Sequence, residues 1–228
     1  MSPHTEGLCR IDGVDCYRIL DTHLMEPFLL TVVSPEEHWM YISSRGGLTA
    51  GRVNAQHSLF PYRTDDLLHA VDAFSGPWTG IRVGNELWAP FTGRAGAQER
   101  RHLAKSVLGD RIVFESHHEG LGLVARAWWT FSNEHGFVRT VSLEASGEHS
   151  CEVQVLDALR DLQVGGASLP VMQSMSCLVN AYTRSERVGS TSVATFAMET
   201  ALSDRAEPAE SLRATTVFAV GNGSSTLD

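Results

Sequence analysis

Apolar and polar residues alternate along most of the chain beyond position 100, the period of two that a pleated strand imposes. Within Asp110–His117, Ile112 and Phe114 face one way. Leu121, Leu123, Ala125, Ala127, Trp129 and Phe131 then share one side of a longer segment, with Arg126 and Thr130 on the other. Nearer the start, Trp39, Tyr41 and Ser43 oppose Met40, Ile42 and Ser44. The alternation predicts strands near 28–33, 37–44, 110–117, 121–131, 136–145, 148–157, 192–202 and 212–220. Leu108-Gly109-Asp110, Asn133-Glu134-His135-Gly136 and Ser146-Gly147 supply turn chemistry between them. Connections this short suit antiparallel neighbours.

Helical spacing is scarce. Arg63–Phe74 predicts one short helix, with Leu67, Leu68 and Val71 on one side and Thr64 as N-cap. Ala158–Val164 suits a single turn, and Glu207–Leu212 reads equally as strand or helix. Many short strands with almost no crossover helices predict an all-β fold, a many-stranded antiparallel β-sandwich occupying residues 1–228 as one domain. Met1–Glu6 and Gly221–Asp228 are expected to be disordered, because they hold little apolar surface to bury.

The chemistry gathers between Trp39 and His69. Gly46 and Gly47 break the strand there, and a polar block follows. Arg45, Arg52, Tyr62, Asp65, Asp66 and His69 are the candidate ligand-binding residues, expected to meet at one exposed edge. A hairpin with a solvated face explains the same residues without a ligand. Gly46-Gly-Leu-Thr-Ala-Gly51-Arg52-Val53 approaches a phosphate loop, but Arg52 stands in the lysine position and Val53 in that of the magnesium-binding hydroxyl. No helix pattern follows, so no phosphate site is assigned.

Composition narrows the partners. With 18 basic against 27 acidic residues, the net charge of −9 argues against nucleic acid and against anionic membranes. A neutral ligand such as a sugar is better suited. No apolar run is long enough to span a bilayer, and MSPHTEG lacks a secretory pattern, so the expected compartment is the cytoplasm. Cys9, Cys16, Cys151 and Cys177 form no CxxC pair and are expected to be free thiols. Cys151, alternating with Val153 and Val155, reads as a buried strand position. His117 and His118 are adjacent on a strand and point to opposite faces, and neither HxH nor HExxH occurs, so no metal and no cofactor are predicted. No catalytic residue is assigned: the chain has no GxSxG elbow, and the carboxylates that sugar chemistry needs cannot be paired at a required separation. Trp39, Trp78, Trp88, Trp128 and Trp129 could stack on a sugar ring, with one of the last two in the core and the other facing outward.

Four segments carry a resemblance. Ser43–Arg52 (SSRGGLTAGR), Leu59–His69 (LFPYRTDDLLH), Leu156–Leu162 (LDALRDL) and Asp204–Phe218 (DRAEPAESLRATTVF) resemble the N-terminal region of large bacterial proteins related to cellobiose phosphorylase and glycosyl hydrolases. Where such proteins carry a glycine and an Asn-Ile-Leu-Pro run, this chain has Ala158 and Asp161-Leu162-Gln163-Val164. The resemblance implies a β-sandwich of the galactose-mutarotase kind, a supersandwich that packs against a helical catalytic barrel of the same protein and contributes to carbohydrate binding. Chemistry would then reside in the barrel, which these 228 residues do not include, so the chain is expected to be the N-terminal part of a longer enzyme. Two other readings stand beside it: a stand-alone aldose mutarotase or epimerase using Asp65 or Asp66 with His69, and a protein-interaction module. A homo-oligomer is left open.

Overall fold

The alternation is realised as hydrogen-bonded ladders, and every strand pairing among the described residues is antiparallel. The computed structural model describes residues 6–70, 76–146, 152–165, 167–198, 214–218 and 220. In chain order the strands are β1 (Gly7–Ile11), β2 (Val14–Ile19), β3 (Leu29–Val33), β4 (His38–Ser43), β5 (Leu48–Arg52), β6 (Ser58–Phe60), β7 (Gly76–Val83) and β8 (Glu86–Trp88). They continue with β9 (Glu99–Ser106), β10 (Ile112–His118), β11 (Leu123–Ser132), β12 (Gly136–Ala145), β13 (Val153–Arg160), β14 (Thr183–Arg187), β15 (Val193–Met198) and β16 (Ala214–Phe218). Two α-helices accompany them, α1 (Asp65–Ala70) and α2 (Leu169–Tyr182).

The strands form four sheets: six strands in the order β1-β2-β9-β10-β11-β12, four as β3-β4-β5-β6, and two sets of three, β13-β7-β8 and β14-β15-β16. One face of the large sheet presents Leu103, Ile112, Phe114, Leu123, Ala125, Ala127 and Trp129. Against it pack Val32, Met40, Ile42, Leu48, Ala50 and Phe60 from the four-stranded sheet, with Ile81 and Trp88 from β7 and β8. The Trp129 ring meets Phe60 edge to face at 6.3 Å.

Two buried arginines lock this core. Arg139, on β12, projects inward beside Phe91 and Trp129, 5.8 Å and 5.9 Å from the ring centres. Its guanidinium reaches Asp157 on β13 and donates to Thr79 Oγ1 at 2.9 Å, while Thr79 donates to Asp157 at 2.7 Å. Arg101 pairs with the buried Glu99 at 2.8 Å and donates to the carbonyls of Gly93 (2.8 Å), Thr92 (3.1 Å) and Ala89 (3.4 Å). The loop that inserts Phe91 is therefore held by its own backbone. Burial works to raise the Glu99 carboxyl, but Arg101, Ser116 and the Gly96 amide outweigh it and hold it below its ordinary value.

The other face of the large sheet has a core of its own. Ile11, Cys16, Ala104, Val113 and Trp128 pack there, and the Trp128 indole donates to Asp12 at 3.0 Å. The two tryptophans point to opposite faces as predicted, but neither is exposed: Trp129 is in the inner core and Trp128 in the outer one. The residues read as sharing one side of the longer segment do line the inner face, and the two sets read in β4 do fall on opposite faces.

Several expectations are corrected. The glycines at 46 and 47 close a hairpin, and Leu48–Arg52 is a strand with four buried residues where a loop was expected. Strands β1, β2, β6, β7, β8, β9 and β14 were not anticipated. The predicted turn at Ala158–Val164 is strand through Arg160. Val155 is half exposed, so the alternation around it does not mark a buried face. Fourteen-residue α2 was missed, because it buries only Val179 and is kinked at Met175, which leaves weak amphipathic spacing. Helix α1 lies where predicted, although its continuation toward Phe74 falls outside the described residues. So do Cys151, Glu207–Leu212, Gly221–Asp228, and parts of the strands predicted at 148–157, 192–202 and 212–220.

Trp129 anchors the inner core and supports Arg139, so Trp129→Ala is expected to cost about 3–5 kcal/mol. Urea unfolding followed by circular dichroism measures it. A loss under about 1 kcal/mol would show that the two layers do not depend on this contact.

Candidate functional site

The outer face of the four-stranded sheet carries the aromatic side chains that the inner face excludes. Period-two geometry sends Met40 and Ile42 into the core and turns Trp39 and Tyr41 outward. Their ring centres lie 6.0 Å apart. Tyr62, on the segment leaving β6, joins them 6.2 Å from Trp39 at an interplanar angle of 65°. Gly51 stands opposite Trp39 in the ladder, so no side chain from β5 rises beside the indole. Leu29 and Val33 on β3 extend the face and are 39% and 48% exposed; Tyr62 is 47% exposed. The indole N–H of Trp39 meets no acceptor among the described residues.

A polar group borders this face. Ser43, buried at the end of β4, has its Oγ 2.8 Å from Nδ1 of His69 and accepts from the Arg45 backbone amide at 3.2 Å. Helix α1 places His69 there, one turn after Asp66. Thr49 fixes the approach of that segment by donating to the Pro61 carbonyl at 2.8 Å. The Thr64 hydroxyl, with help from the Leu67 amide and the nearby His69, holds the exposed Asp66 carboxyl below its ordinary value.

Of the six candidate residues, Tyr62 lies on this face and His69 beside it, with Asp65 and Asp66 in the first turn of the same helix and Arg45 on the turn after β4. Arg52 stands apart. It ends β5 at the opposite pole from Arg45 and donates to the Glu36 carbonyl and to Asn133 Oδ1, each at 3.0 Å. Those contacts tie hairpin ends together and give Arg52 a structural role. Trp39 and Tyr41 complete the site. The alternation had placed both on one face, but Tyr41 was not singled out.

A second polar cluster lies on the outer face of the large sheet and was not foreseen. Glu115 is buried, with Arg126 Nε at 2.5 Å, Arg18 at 3.4 Å and His117 Nε2 at 2.9 Å. His117 and His118 do diverge as read: His118 turns inward to Trp88, its ring 5.3 Å away. The atoms of His102, Glu115 and His117 come within 4.8 Å of one another, close enough to consider a metal. The donor chemistry does not fit one. His102 Nδ1 accepts from the Asp21 amide at 3.0 Å, which places its proton on Nε2 and leaves that nitrogen without a lone pair. Arg18 and Arg126 already supply two positive charges to the single carboxylate. Glu115 is instead the hub of an internal ion network.

Burial alone would raise the Glu115 carboxyl, but His117, Arg126 and Arg18 overcome it and hold it at about 2. A carboxyl lowered on folding stabilises the protein above its unfolded value, and that stabilisation is lost as pH falls through the folded value. Stability is therefore expected to drop by about 3 kcal/mol as pH falls from about 4.5 to about 2. Below the ordinary histidine value, His38 and His102 add to the loss, because burial, aided by Arg52 and by His117 respectively, lowers both. In Glu115→Gln the acid step should shrink by about that 3 kcal/mol, and stability at neutral pH should fall by about 3–5 kcal/mol. Denaturant unfolding across this pH range checks both outcomes, and an unchanged acid step in the variant would rule the assignment out.

In comparisons with known proteins, the chain matches no family model and no curated protein.

Proposed function

We propose that this chain is a carbohydrate-associated β domain, of the supersandwich type that precedes the helical catalytic barrel in cellobiose phosphorylase-like enzymes. The observation that carries this reading is the partly exposed Trp39–Tyr41–Tyr62 face with its polar border. Aromatic rings stack on the apolar C–H face of a pyranose, and neighbouring donors and acceptors bind its hydroxyls. The tyrosine hydroxyls, His69 and Asp66 offer both kinds. The net charge of −9 suits a neutral ligand better than an anionic one. Antiparallel sheets sharing one core support the architecture, and the four resembling segments support the enzyme class.

A ring-opening enzyme built on Asp65 or Asp66 with His69 has less support, because Ser43 already engages His69 Nδ1. The domain's role is to bind and position sugar, with the bond-breaking groups supplied by the barrel.

Titration with cello-oligosaccharides, read by tryptophan fluorescence and by calorimetry, tests the reading. Trp39→Ala and Tyr62→Ala are each expected to lose about tenfold in affinity, roughly 1.4 kcal/mol. Tyr62→Ala should leave the melting temperature nearly unchanged, since its ring is half exposed. Arg52→Ala should lose about 1 kcal/mol of stability and keep its sugar affinity. Equal affinity in all three variants, or no response to any neutral sugar, would reject the proposal.

A further inference from the structure

The N-terminal hairpin carries two cysteines that nothing in the sugar site uses. Asp12 and Gly13 both have positive φ, 47° and 82°, so β1 and β2 are joined by a two-residue turn of the I′ kind. Ile11 and Val14 close that turn as a hydrogen-bonded pair. Alternation along the ladder makes Cys9 and Cys16, two steps away, the next hydrogen-bonded pair. Residues so paired have Cα atoms about 5.5 Å apart, in the middle of the roughly 4.4–6.8 Å that a disulfide spans. Directly opposed residues also share a sheet face, and both cysteines pack against the Ile11–Ala104–Val113–Trp128 cluster. Both are free thiols in the structure.

We propose that Cys9 and Cys16 are a reversible redox staple, closing as an intramolecular cross-strand disulfide that fastens edge strand β1 to β2. The two thiols are unequal. Cys16 is fully buried, and burial, reinforced by the neighbouring Cys9 and Asp15, pushes its thiol up to about 11. Cys9 is only partly buried and is the attacking sulfur. The oxidant is a low-molecular-weight disulfide such as oxidised glutathione. The Cys9 thiolate attacks one of its sulfurs, forming a mixed disulfide and expelling one glutathione thiolate, which takes up the proton that Cys9 released. Cys16 then gives up its proton and attacks Cys9 Sγ. The Cys9–glutathione bond breaks, the Cys9–Cys16 bond forms, and the second glutathione thiolate accepts that proton. Two cysteine thiols are oxidised by two electrons, and one external disulfide is reduced to two thiols.

The staple matters because β1 is the edge of the large sheet and, among the described residues, pairs only with β2. The same hairpin supplies Asp12 to Trp128 and Arg18 to Glu115. Closing it fastens that side of the outer core under oxidising conditions, and thiol reductants open it again.

Native protein incubated with oxidised glutathione, alkylated and mapped by peptide mass spectrometry tests this. Exposed Cys177 is the internal control for reagent access. Wild type should give a Cys9–Cys16 cross-linked peptide, lighter by two hydrogens and reversed by dithiothreitol. In Cys16→Ser, Cys9 should stop as a stable mixed glutathione disulfide. In Cys177→Ser, the cross-link should form as in wild type, and amide exchange in β1 should slow on oxidation. The proposal is overturned if wild-type Cys9 stays reduced, or stays glutathionylated, once Cys177 is fully modified. A Cys9 cross-link to any other cysteine overturns it equally.

Discussion

Strand β11 is buried on both faces over its central residues, and most of the architecture follows from that constraint. Ala125, Ala127 and Trp129 close the inner core, while Val124 and Trp128 are covered on the other side. A strand with two dry faces needs two sources of cover. The inner side is served by two further sheets with apolar residues. The outer side has only the hairpin β1–β2, which adds Ile11, Cys16 and the Asp12 carboxylate to cap the indole. Arg126, on that outer face, must then carry its charge into a partly desolvated place, which is tolerable only beside a carboxylate. Glu115 supplies it, and Arg18 and His117 gather on the same two oxygens.

Charge recurs inside the core with the same logic. Arg139 sits between the layers and is almost wholly covered, yet its partners come from three strands and a loop: Asp157 on β13, Thr79 on β7, and the rings of Trp129 on β11 and of Phe91. Burying an ion pair rarely adds much net stability. Here it specifies which strands face each other, because no apolar replacement could distinguish Asp157 from its neighbours. Arg101 applies this to a loop, binding three backbone carbonyls beside the Glu99 carboxylate.

Sequence reading succeeded where one face met water and the other met the core. That condition holds for β4 and for β12, and there the period of two was plain. It failed where both faces are covered or where small residues interrupt the pattern. Leu-Thr-Ala-Gly in β5 has no polar side to reveal it, and Gly76, Pro77 and Gly80 in β7 read as loop signals. The β1–β2 hairpin was missed although its signals are present: both strands alternate and Asp12-Gly13 is a strong turn signal. Within the candidate site, residue type and spacing located Tyr62, Asp66 and His69, because they leave the sheet together on one short segment. The same reasoning could not separate Arg52 from Arg45, since the distance between them depends on the unrecognised strand that divides them. The Arg139–Asp157 pair was invisible, as nothing local marks a long-range partner.

Gln163 has all its polar groups engaged while nearly buried: its amide N–H donates to Leu59, Ser58 donates to its side-chain oxygen, its NH₂ donates to Ala167, and Thr215 donates to its carbonyl. Two residues on, Gly165 bridges to Ala197, and a Cβ there would stand 2.7–2.8 Å from the backbone of Ala214 and Thr215. For anyone dissecting this chain into smaller pieces, that junction marks where it cannot be divided. A truncation just after Gln163 would strip it of the Ala167 and Thr215 contacts, and a cut just after β13 would part it from Leu59 and Ser58. The segment from Leu162 to Ala167 is thus a seam shared by both halves, and a boundary drawn through it would leave neither half with a complete edge.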